Sequence, residues 1–96
     1  MIVLNVTYRC KAGKRDAFLE AVRTEGIDAA TRAETGCLKY DYYLPACESD
    51  ELFLLEKWTG PDAVKAHGGQ AHMEKLGALK KEYVEETVIE KFEVRE

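Results

Sequence analysis

CLKYDYYLPACESDELFLLEKWT, residues 37–59, holds two alternating runs joined by a polar loop. In the first run Leu38, Tyr40, Tyr42 and Leu44 fall on one side, and Cys37, Lys39, Asp41 and Tyr43 on the other. In the second, Leu52, Leu54, Glu56 and Trp58 lie opposite Phe53, Leu55, Lys57 and Thr59. Successive side chains of an extended backbone point to opposite faces, so alternation of this length predicts two strands. Pro45 ends the first run, and the short polar ACESD connection predicts an antiparallel hairpin.

Toward the N-terminus, residues 2–10 alternate in the same way. Ile2, Leu4, Val6, Tyr8 and Cys10 share a face opposite Val3, Asn5, Thr7 and Arg9. Gly13 breaks the pattern, and the period then changes. Ala17, Phe18, Ala21 and Val22 recur at helical spacing. Gly26 disfavours a helix interior and predicts a stop or bend there. A second short helical piece follows over IDAATRAE, with Asp28 as a cap or first-turn acid, and Thr35–Gly36 ends it.

Toward the C-terminus, TGPD predicts a helix start. Thr59 and Asp62 have the spacing of a capping box, and Pro61 suits the first helical position. Gly68 and Gly69 interrupt this helix. From Gln70 it resumes, with Met73, Leu76, Leu79, Lys80, Tyr83 and Val84 at three- and four-residue steps. TVIEKFEV, with Val88, Phe92 and Val94, predicts a last strand. The order is β-α-β-β-α-β, an α+β ferredoxin-like arrangement with helices on one face of a four-stranded antiparallel sheet. At 96 residues the chain predicts a single domain spanning 1–96.

Composition narrows the function. A net charge of −4, with cations and anions interspersed, argues against nucleic acid as a partner. No apolar run has the length of a membrane span, and the N-terminus reads as a strand and not as a signal peptide. Cys10, Cys37 and Cys47 are odd in number and lack metal-site spacing, which predicts free thiols in a reducing cytoplasm. The sheet poses a further question. Helices cover one face, yet both faces carry apolar side chains, so the second face needs a cover. A second copy of the same sheet supplies it most simply, which predicts a face-to-face homodimer.

One segment gathers the chemistry: EKWTGPDAVKAHGGQAH, Glu56–His72, holds the single Trp and both His residues. Glu56-x-Trp58 at a strand end, Ala66–His67 in the following helix and a second His at 72 resemble the antibiotic biosynthesis monooxygenase family. GCLKYDYY resembles that family's second strand. The resemblance covers essentially the whole chain. It implies a dimeric α+β barrel with a cavity between helices and sheet. It also implies a cofactor-independent, quinol-type monooxygenase acting on a small quinol-like or polyphenolic aromatic. Other members degrade haem, isomerise a phosphorylated sugar, or have no assigned activity. In the haem-degrading branch a first-strand Asn works with a helical Trp and His. Asn5 stands at a similar position, but His67 occupies the helical Trp position and Trp58 lies on the strand.

On this reading the catalytic candidates are His67, His72 and Asn5, and the substrate-binding ones are Trp58, Tyr40, Tyr42 and Glu56. A phenolic substrate becomes reactive toward oxygen once deprotonated, and a histidine titrating near neutrality in a dry cavity serves as base. Asn5 would steady developing negative charge, Trp58 would stack on a planar ring, and the tyrosines would donate hydrogen bonds. The plainer readings are a capping histidine beside Gly-Gly, a core tryptophan, and an Asn that satisfies backbone. For Glu56 the plainer reading is a carboxylate neutralised by a Lys or Arg of the second subunit. A step of five puts His67 and His72 about 140° apart on a straight helix. Only a bend at Gly68–Gly69 would let them converge, so no metal site is expected; same-face ligands want steps of three or four. Two alternatives stay open: a non-oxidative isomerase of a small polar metabolite, and a non-catalytic small-molecule-binding module.

Overall fold

The structure, a computed structural model, describes residues 1–95. Its elements are β1 (Ile2–Cys10), α1 (Arg15–Thr24), α2 (Ile27–Arg32), β2 (Cys37–Tyr43), β3 (Glu51–Trp58), α3 (Pro61–Gly68), α4 (Ala71–Tyr83) and β4 (Val84–Glu93). The strands form one antiparallel sheet in the order β2-β3-β1-β4. This is the expected ferredoxin-like α+β fold. No helix among the described residues is long and apolar enough to cross a membrane.

Alternation decides which face is buried. Ile2, Leu4, Val6, Tyr8 and Cys10 of β1 pack with Leu52, Leu54 and Trp58 of β3, beneath Phe18, Val22, Ile27 and Leu76 from the helices. β2 departs from the simple alternation. Its register shifts between Cys37 and Lys39, so Cys37 pairs with Trp58 and Tyr40 with Glu56. Cys37 thereby packs against the core, and Leu38, expected on the face of Tyr40, is exposed instead. A bulge inserts one residue and reverses the parity of everything before it.

Three local readings also change. The N-cap of α3 is Gly60, with no side-chain cap bond, so Thr59 and Asp62 form no capping box. Thr59 instead donates its N–H to the Gly36 carbonyl at 2.9 Å, tying the end of β3 to the turn before β2. Val84, grouped with the last helix by its spacing, opens β4. Asp28 is a first-turn acid, held by Arg32 one turn on at 3.2 Å.

Gly36 is required where it stands. Its φ of +85° lies in the left-handed region, and a Cβ there would meet the Ala63 Cβ at 2.6 Å and the Thr59 Oγ1 at 2.7 Å. Gly36→Ala is therefore expected to cost roughly 2–4 kcal/mol, the sum of backbone strain and overpacking. Chemical denaturation against the wild type measures it, and a loss below about 1 kcal/mol would show that α3 simply gives way.

The face away from the helices lies open. Phe53 and Leu55 of β3 and Val3 of β1 are only half buried, while Tyr43, Val88 and Phe92 are exposed. The edge strand β4 is bare on its other side as well: Ile89, paired with Val6, is 60% exposed.

Candidate functional site

The polar cluster begins with a broken helix. α3 ends at Gly68, and Gln70 is extended (φ −75°, ψ 146°) before α4 begins. The break reorients the chain, so His67 in the last turn of α3 and His72 in the first turn of α4 lie on different axes. Both reach Glu34, in the turn between α2 and β2. His67 Nδ1 and His72 Nε2 each lie 2.8 Å from the same Glu34 Oε2. The bend at Gly68–Gly69 that convergence requires is present, so the two histidines are not on one straight helix.

The cluster continues inward. The His67 ring lies 4.7 Å from the Trp58 ring, tilted by 36°. Its Nε2 is 4.0 Å from Glu56 Oε1, which accepts the Trp58 Nε1–H at 3.0 Å. Glu56 thus has Trp58 and His67 as partners within its own chain. Burial pushes its carboxyl above the usual carboxylate range and the nearby Glu34 adds to this; the Trp58 N–H and His67 oppose it. One carboxylate oxygen of Glu34 accepting two ring N–H groups fixes both tautomers. With Glu34 as carboxylate the donors are assigned to Nδ1 of His67 and Nε2 of His72, and in that tautomer Nδ1 of a neutral His72 is an acceptor.

The tyrosines form the third part. Tyr40 is fully buried, 6.0 Å from the His67 ring and edge-on to Tyr42 at 5.8 Å. Among the described residues the buried hydroxyls of Tyr40 and Tyr42 meet no partner with full hydrogen-bond geometry, and they are near enough to perturb each other. Burial raises both phenols above their ordinary range, Tyr42 to about 12, so both stay protonated at neutral pH.

Of the residues singled out in the sequence, His67, His72, Trp58, Glu56, Tyr40 and Tyr42 lie on the helix side of the sheet. Asn5 does not join them. It shares the odd-numbered face of β1 with Val3 and Thr7, pairs with Leu55 and Glu90, and is half buried on the open side. The reason is parity: Leu4 and Val6 point to the helices, so the residue between them points away. Glu34 went unrecognised because it belongs to no motif; only the tertiary fold brings it to residues 33 and 38 positions away. The space inside the layer is also tighter than the expected cavity, since Trp58 and Tyr40 are fully packed. The depression that reaches the cluster has a volume of about 620 Å³. It opens at His72 and Glu34, beside Ala33, Thr35, Ala66 and Gln70.

The chain matches known proteins throughout. The family model described as "Antibiotic biosynthesis monooxygenase" matches residues 1–78. A Bacillus subtilis (strain 168) relative, "Putative monooxygenase YcnE", is 34% identical over 82 residues, covering 85% of this chain and 84% of its own. Among solved structures, a conserved protein of unknown function from Bacteroides thetaiotaomicron is 29% identical with a TM-score of 0.85, covering 97% of this chain and 96% of that one. PA3566 from Pseudomonas aeruginosa has a TM-score of 0.87 at 22% identity, covering 99% of this chain and 94% of its own, and so shares the fold. Fold, matched length and sequence identity agree, and the chain belongs to the antibiotic biosynthesis monooxygenase family.

Proposed function

We propose that the protein is a cofactor-independent monooxygenase of a quinol-like or polyphenolic aromatic, working as a cytoplasmic homodimer. The observation that carries this reading is the His67–Glu34–His72 cluster, of which Glu34 and His72 face an open depression. His72 donates Nε2–H to Glu34, which orients the ring, as a carboxylate does for a general base. Its Nδ1 then accepts the phenolic proton of a substrate lying in the depression. The resulting phenolate transfers an electron to dioxygen. The radical pair combines at carbon as a peroxide, and O–O cleavage leaves a quinone carbonyl and one water. Tyr40, Tyr42, Trp58 and His67 lie behind the depression's lining, so they would reach a substrate, as hydrogen-bond donors and aromatic wall, only where the layer parts beside His72; Glu56 would hold Trp58 in place. Oxygen consumption with a panel of reduced quinones and anthrone-like phenols tests the reaction. Absence of uptake with every member that binds would refute it.

Two buried or nearly buried carboxylates favour a second reading, a non-oxidative isomerase of a small polar metabolite with the same His72 as base. That enzyme would turn over under nitrogen, which an oxygenase cannot do.

The open sheet face and the bare β4 edge support the homodimer. Each large apolar side chain withdrawn from water would contribute about 1.5–3 kcal/mol. Phe92 is 47% exposed in the single chain. Phe92→Asp is therefore expected to leave the fold intact and move the protein from dimer to monomer at micromolar concentration. Sedimentation velocity reads this, and a monomeric wild type would overturn the assembly. The three cysteines are unpaired, in keeping with a reducing compartment.

A further inference from the structure

We propose that Glu34, His67 and His72 form a binding site for a divalent first-row transition ion, with zinc as the best-suited occupant. The ion would use the same side chains as the proposed oxygenation but a different state of them: an ion on His72 Nε2 puts the ring proton on Nδ1, so the ion-bound form cannot use His72 as base, and zinc is expected to inhibit oxygen uptake. Two imidazoles and one carboxylate are the donor set of open zinc sites that keep a fourth position for water or substrate. Here the three donor atoms all lie within 4.8 Å of one another, and both ring nitrogens are already 2.8 Å from the carboxylate oxygen. Tetrahedral bonds of about 2.0–2.2 Å separate ligand atoms by about 3.3 Å. To hold an ion the carboxylate oxygen must move back by about half an ångström and the two ring nitrogens, at most 4.8 Å apart, must close by about an ångström, within the reach of side-chain rotation.

Two further features fit a site of this kind. The first lies behind His67. When Nδ1 binds an ion its proton moves to Nε2, which faces Glu56 Oε1 at 4.0 Å, and Glu56 is itself anchored by the Trp58 N–H. A carboxylate behind a metal-bound imidazole orients the ring and raises its basicity. The second lies in front. The depression beside Ala66 and Gln70 opens directly on His72 and Glu34, giving an ion an entry and room for a further ligand. The interruption at Gly68–Gly69 makes the geometry attainable, because it places ligands five residues apart on two helix axes.

Calorimetric titration of the Cys47→Ser protein with zinc chloride tests the proposal; the substitution removes the one exposed thiol, an alternative zinc ligand. Cobalt chloride serves as a second probe, read by its visible absorption. The expected result is one ion per chain, a rise in melting temperature with zinc, and cobalt bands of a four- or five-coordinate site. His72→Ala and Glu34→Gln should each weaken zinc by more than the roughly 10–100-fold that loss of an outer hydrogen-bond partner causes. Both positions are near the surface end of the cluster, so circular dichroism can verify that the variants fold; Glu56→Gln, within that same range, gives a third reading. No bound ion in the folded protein, or zinc affinity unchanged in either His72→Ala or Glu34→Gln, would overturn the site. Oxygen uptake is read separately, so either inference can fail alone.

Discussion

Replacing His72 by glutamine is expected to lower oxygen uptake on a reduced quinone by roughly 10²- to 10⁴-fold, the usual contribution of a positioned general base. Glutamine keeps an N–H that can donate to Glu34 but offers no basic nitrogen. The hydrogen bond and the fold should survive while proton abstraction is lost. Because a base acts on the chemical step, the loss should fall on kcat more than on KM. Raising the pH, which ionises the phenol without help, should recover part of the rate. His67 is a poorer test, since its ring is packed against Trp58 and its removal damages the layer itself. Asn5→Ala should leave uptake near the wild-type level, because Asn5 lies on the far side of the sheet. Full activity in His72→Gln would remove the base from the proposal.

The second large effect concerns stability. Trp58 is completely buried, stacks near His67 and donates to the buried Glu56. Trp58→Ala is expected to lose about 3–5 kcal/mol from the cavity it leaves. It also strips Glu56 of its hydrogen-bond donor, and an unsatisfied buried acceptor adds to the loss. Domains of this size hold about 5–15 kcal/mol in all, so the variant should be largely unfolded under mild denaturant. Trp58→Phe separates the two effects: it retains most of the packing and loses only the N–H, for about 1–3 kcal/mol. Guanidinium unfolding followed by far-ultraviolet dichroism measures both. A Trp58→Ala loss below 2 kcal/mol would mean the core closes over the gap.

The sequence carried the fold because its information is local. Alternation over residues 2–10 and 51–58 identifies the strands and the buried side of each, since the two-residue period is a property of an extended backbone. Pro61, Gly68 and Gly69 mark where helices start and break. The same local logic failed at β2, where a bulge that no residue announces exchanged Cys37 for Leu38 on the core face. It failed again at Asn5, where resemblance of position outweighed the parity already legible in Leu4 and Val6.

The chain by itself determined the element order, the helix-facing side of β1 and β3, and the membership of His67, His72, Trp58 and Glu56 in one segment. Only the tertiary structure decided that the two histidines share a partner, that this partner is Glu34, and that the hydroxyls of Tyr40 and Tyr42 are buried together. The reason is physical. Side-chain direction along a strand or helix follows from backbone periodicity over a few residues. The meeting of Glu34 with His67 and His72 depends instead on the angle between two short helices and on the path of a turn. Those are set by how α2, α3 and α4 pack on the sheet.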